Sequence, residues 1–239
     1  FCACLLRVSI RSVCVVRAFS GHWPVMADKD QKLLRMIHGR IGTRIRKYRD
    51  TAEVVVADGR VKALSLAEHD LDQLPQLPDF DIPVIDLAST HISDLSPLSH
   101  MHLSELFVES SHVSDLSPLA GQQLQKFYAS HTDVADLQPL RGQPLIELNL
   151  VATNVTDLSS LAESKIQMLW LNGCAVADLS PLQSQPLVSL TLEKTRVADL
   201  TPLAEIETLE RLHIADTPVT DLTPIANHKL TRLIFNPER

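Results

Sequence analysis

Leu103-Ser104-Glu105-Leu106-Phe107-Val108-Glu109-Ser110-Ser111-His112-Val113-Ser114-Asp115-Leu116-Ser117-Pro118-Leu119 is the stretch on which the fold turns. Its closing motif, Asp-Leu-x-Pro-Leu, recurs with the acid at Asp94, Asp115, Asp136, Asp157, Asp178, Asp199 and Asp221. Five successive gaps are 21 residues and the last is 22. One copy has Ser160 where the others have Pro, and the last ends in Ile225 in place of Leu. A fixed period of this length is the mark of a stacked-repeat architecture.

Working outward from each Asp, the units start at Val61, Ile82, Leu103, Leu124, Leu145, Ile166, Leu187, Leu209 and Leu230. The fourth column is Leu64, Ile85, Leu106, Phe127, Leu148, Leu169, Leu190, Leu212 and Leu233. The sixth is Leu66, Leu87, Val108, Ala129, Leu150, Leu171, Leu192, Ile214 and Phe235. One unit cannot bury such a face alone, whereas stacked units share a continuous core. The apolar-x-apolar segment is predicted to be a short strand with both apolar side chains inward. The ninth column is mostly hydroxyl (Thr90, Ser111, Thr132, Thr153, Thr195, Thr217), suited to satisfying buried backbone groups where the chain leaves the sheet. Cys174 falls in that column and reads as a small buried residue. The repeated Asp is predicted to cap a 3-10 turn, with Pro inside the turn. In the longer unit, Ile206 is expected to fill the added space.

The pattern Val-x-Asp-Leu-x-Pro-Leu resembles the leucine-rich repeat of the short bacterial type found in internalins. The resemblance covers residues 61–239, with two departures: units of 21 rather than 22 residues, and Thr where Asn is common in the ladder. It implies an α/β, right-handed solenoid: a curved parallel sheet of short strands with 3-10 turns on the convex side. It also implies protein binding on the concave sheet. Phe235-Asn236-Pro237-Glu238-Arg239 resembles the lead-in to a C-terminal cap, so residues 61–239 are read as eight full units and a ninth strand without that cap.

The rest of the 239 residues divides by charge. Residues 1–60 carry 12 Lys/Arg against 5 Asp/Glu, and residues 61–239 carry 10 against 24. Residues 1–25 are expected to be a disordered leader before Met26. Arg7, Arg11 and Arg17 break up the apolar run that a secretory signal requires. Residues 26–60 are expected to form an N-terminal cap of helix plus hairpin. Leu34, Ile37, Ile41, Ile45 and Tyr48 follow helical spacing, and Asp58-Gly59 is a hairpin turn. The basic face of that helix offers nucleic acid a contact, but it lacks interleaved aromatics and the body is acidic, so a nucleic-acid role is disfavoured. Cys2, Cys4, Cys14 and Cys174 form no metal-binding or disulfide pattern. No uncharged apolar run is long enough for a membrane helix. A cytoplasmic location is expected, with secretion or surface display as the alternative.

Function is expected on the outward strand positions. The fifth column includes Phe107, Tyr128, Asn149, Trp170 and His213, and the third includes Glu105, Lys126, Glu147, Met168 and Arg211. Aromatics are only 4% of the chain, so three of them on neighbouring units mark a candidate site for a protein or peptide. A carbohydrate or cell-wall surface is the alternative, since a row of rings can stack on sugars. A regulatory repeat module within a larger bacterial signalling protein is another. Asp70, His91, His112 and Asp133 share the tenth column, but ligands strung along a stack do not surround one ion, and no metal or cofactor is expected. Phosphate-loop, nucleophile-elbow and metalloprotease motifs are all missing, so a non-enzymatic chain is expected.

Overall fold

The structure is a computed structural model that describes residues 14–17, 31, 53–58, 60–68, 70–74 and 81–236. Its strands are β1 (Cys14–Arg17), β2 (Glu53–Ala57), β3 (Arg60–Ser65), β4 (Val84–Asp86), β5 (Glu105–Phe107), β6 (Lys126–Tyr128), β7 (Glu147–Asn149), β8 (Met168–Trp170), β9 (Ser189–Thr191), β10 (Arg211–His213) and β11 (Arg232–Ile234). They form one sheet in sequence order. From β3 to β11 every pairing is parallel, and each residue faces the one a repeat later: Leu106 opposite Phe127, Leu148 opposite Leu169. The register is set by burial. A one-residue slip would turn every inward Leu to solvent.

From Leu64 to Ile214 the fourth and sixth columns make one continuous core with the Leu residues of the Asp-Leu-x-Pro-Leu turns, whereas Leu233 of the last strand is exposed and Phe235 packs at the edge. Seven 3-10 turns occupy the outer side, from Ser96–Leu98 to Thr223–Ile225. Ile206, the buried residue of the longer unit, occupies the added space as expected. The ladder also forms as predicted. Thr90, Ser111, Thr132, Thr153, Thr195 and Thr217 each donate to the carbonyl three residues earlier, at 2.6–2.7 Å. Cys174 is buried and donates instead across one unit, to the Leu150 carbonyl at 3.0 Å.

Each Asp stands one residue further out than a helix cap. Leu95 is at the helix boundary, and Asp94 Oδ1 accepts from the Ser96 amide at 2.8 Å. The same amide contact closes the turns at Asp115, Asp136, Asp157, Asp178, Asp199 and Asp221. A second constraint went unread in the sequence. The eighth column (Glu68, Ser89, Ser110, His131, Ala152, Gly173, Lys194, Asp216) lies in the left-handed region throughout, though only one member is Gly. From Glu68 to Lys194 each of these amides donates to a carbonyl of the next unit, and these bonds hold the geometry.

At the amino end the Asp58 turn joins β2 to β3 as an antiparallel hairpin, with Asp58 at φ 52°. β1 lies within the stretch expected to be a leader and pairs antiparallel with β2. Its Val15 and Val16 are strand-favouring residues. The basic helix expected within residues 26–49 lies outside the described residues, apart from Gln31.

Candidate functional site

Period-2 alternation about the buried fourth column sends the third and fifth columns to the open face of the sheet. Phe107, Tyr128 and Trp170 meet there. Phe107 and Tyr128 pack edge to face with ring centres 5.1 Å apart. Tyr128 and Trp170 lie 5.8 Å apart, leaning together across Asn149 of the intervening strand. Phe107 is largely covered, at 8% exposure, and stands outside the apolar core cluster. Tyr128 and Trp170 are half-buried and present the accessible part of the cluster. Asn149 turns its Oδ1 back to accept from the Val151 amide.

The polar residues expected around the rings divide into two groups. Tyr128 donates from its hydroxyl to Glu147 at 2.5 Å. Lys126 Nζ sits between Glu147 and Glu105, at 3.3 and 3.9 Å. This part of the face is therefore a closed network that holds the Tyr128 ring in place. Beyond it, Glu109 has its carboxyl held above the usual range by burial and by the charge of Asp86.

Met168, Arg211 and His213 fall in a second region. With Trp170, Arg232 and Ile234 they line an open groove of about 350 Å³. His213 Nε2 is 3.9 Å from Glu193. Ile234 ends the outward fifth column read from the sequence; Arg232 was missed, although the third column extended to β11 points to it. Thr191 is in the same groove, and its Oγ1 is buried with no hydrogen-bond partner.

On the tenth column the His91 and His112 rings stack 5.6 Å apart, and His91 Nδ1 lies 3.1 Å from Asp70. Asp70, Asp72 and His91 bring three exposed donors within 4.8 Å of one another. Asp133 is not one of them. Among the described residues no helix is long and apolar enough to cross a membrane.

No family model matches the chain. No curated protein matches it either. Solved structures do. An internalin, inlF, from Listeria monocytogenes superposes with a TM-score of 0.71 and 23% identity, over 89% of this chain and 64% of its own. The chain thus spans less than two thirds of inlF. Internalin C2 from Listeria monocytogenes gives 0.72 and 26%, over 87% of this chain and 93% of its own. The plant peptide hormone receptor RGFR1, solved in complex with RGF2, gives 0.57 and 14%, over 66% of this chain. The chain has the internalin-like leucine-rich-repeat fold of bacterial proteins.

Proposed function

We propose that this chain is a protein-binding scaffold that recognises a protein or peptide on the concave sheet face through Tyr128 and Trp170. The observation that carries the reading is the gathering of three aromatic rings from β5, β6 and β8 on one open face, in a chain of low aromatic content. Half-buried Tyr and Trp with fixed orientations lose little entropy on binding and act as anchors. Glu147 and Lys126 hold the Tyr128 ring before any partner arrives, which lowers the ordering cost. The plant receptor of the same fold was solved with a bound partner. An open sheet face also lacks the closed, dry cavity that strong electrostatic catalysis requires, which supports binding rather than reaction.

The rings meet at 66° and 56° rather than lying in one plane. A flat platform for sugars is therefore less well matched than a surface for side chains of varied shape. The reading holds equally for a cytoplasmic and a secreted chain. The test is a binding titration with a partner captured by the wild-type chain. Tyr128→Ala and Trp170→Ala are each expected to weaken it by roughly tenfold or more. Glu205→Ala on the outer side is expected to leave it unchanged. Equal affinity in all four proteins would refute the site.

A further inference from the structure

The two ends of the sheet face differ in how their charges are met. Near β6, Lys126 is shared between two carboxylates. At the other end Arg211 and Arg232 stand opposite each other in register on β10 and β11, both exposed. Neighbouring strands are about 4.8 Å apart, so two guanidinium-bearing side chains start side by side and repel. Among the described residues neither has an ion-pair partner. Glu193, on the unit of β9, is 3.4 Å from Lys194 and 3.9 Å from His213 and does not line the groove. Beside the two Arg lie the apolar walls of the groove, Trp170 and Met168. Thr191 lies on the floor between them. Two adjacent cations beside an apolar wall repel each other, and a ligand carboxylate placed between them relieves that repulsion.

We propose that the groove across β8–β11 binds an acidic peptide segment. A carboxylate of that segment is held by Arg211 and Arg232, and an apolar side chain next to it lies against Trp170 and Met168. Guanidinium forks match the two oxygens of a carboxylate, and the volume admits a few side chains rather than a buried cofactor. A free inorganic anion would satisfy the Arg pair and leave the Trp170–Met168 wall unused, which favours a peptide. This assignment deepens the concave-face reading and rests on it.

The experiment is selection of a random peptide display library on the whole chain, on Arg211→Gln/Arg232→Gln, on Arg211→Glu/Arg232→Glu and on Trp170→Ala. Both Arg are exposed, and circular dichroism of each variant checks the fold. Peptides selected by the wild type are expected to be enriched in Asp or Glu next to Leu, Phe or Trp. The Gln pair is expected to weaken them by roughly tenfold or more, and raised salt to weaken wild-type binding but not that of the Gln pair. The Glu pair is expected to turn the preference toward Lys and Arg. Peptides that depend on Trp170 but bind the Gln pair unchanged overturn the acidic anchor and leave the concave-face reading standing. Selection that yields no Trp170-dependent peptide overturns both. Selected peptides without acidic enrichment, displaced by excess inorganic phosphate, overturn the peptide assignment in favour of a free anion.

Discussion

Replacing Gln143 with Met removes a bond that crosses from one repeat to the next. Gln143 is 2% exposed, and its Oε1 accepts from the Leu124 amide at 3.2 Å. Its Nε2 donates to the Leu119 and Pro139 carbonyls, at 2.8 and 2.9 Å. The Leu119 carbonyl keeps a second donor, the Gln122 amide. The Pro139 bond is only partly buried, leaving that carbonyl access to water. The Leu124 amide loses its partner and stays buried. An orphaned buried amide costs about 1–3 kcal/mol, of which improved apolar packing returns up to about 1 kcal/mol, for an expected net loss near 1–2 kcal/mol. Gln143→Glu keeps the acceptor for Leu124 but sets a carboxylate oxygen against two carbonyls. It is expected to be the worse variant at neutral pH and to recover at acid pH, when the protonated carboxyl donates. Where Ser164 occupies this column one unit later, the corresponding Leu145 amide turns to the Gln143 carbonyl at 2.8 Å, and a similar turn of Leu124 toward Gln122 sets the expected loss at the lower end of that range. Urea unfolding followed by circular dichroism measures all three proteins. A Met variant within about 0.5 kcal/mol of wild type, or a Glu variant no weaker than Met at neutral pH, refutes the reasoning.

Ala152 sits at φ 55° and exposed, so Ala152→Gly is expected to raise stability by about 1 kcal/mol in the same titration. The Asp115 and Asp178 carboxyls are held below the usual range by the amide, then the hydroxyl, two residues on; in Asp199 and Asp221 the hydroxyl contributes most. Lowered folded values stabilise the chain above the unfolded value of 3.8, and that stability is lost as pH falls through the folded values. Replacing these four Asp with Asn is expected to flatten the acid limb of a stability–pH curve. Glu109 has the opposite sign: its folded value is raised, so its charge opposes folding above 4.5 and the penalty fades as the carboxyl protonates on acidification. Glu109→Gln is therefore expected to stabilise at neutral pH and to lose that advantage in acid.

Much of this fold is written in columns of single residue type. Leu148 and Leu169 could be paired from the sequence alone, because a 21-residue period fixes register once one face must be buried. The Thr153 ladder and the Asp115 turn were legible for the same reason. The Gln ladder was not read, although Gln122, Gln143 and Gln185 share a column and a buried polar residue among apolar neighbours is a signal. The left-handed eighth column was not legible. Its residues are chemically unrelated, and its geometry comes from the bonds to the next unit and not from glycine. In the site, period 2 found Tyr128 and Trp170, whose contact across Asn149 depends on ring tilt that no spacing encodes. Arg211 was placed in the outward third column with the other candidate residues. Only its pairing with Arg232 reveals a separate cationic end of the face.

The binding face is tested most directly by the emission of Trp170. The chain has two Trp, and Trp23→Phe leaves Trp170 as the only one. Titration of that variant with a captured partner, with binding followed independently by anisotropy of the labelled partner, is expected to shift Trp170 emission to the blue in step with occupancy as the half-buried indole loses water. Saturated binding with unchanged Trp170 emission would contradict a partner seated on this face.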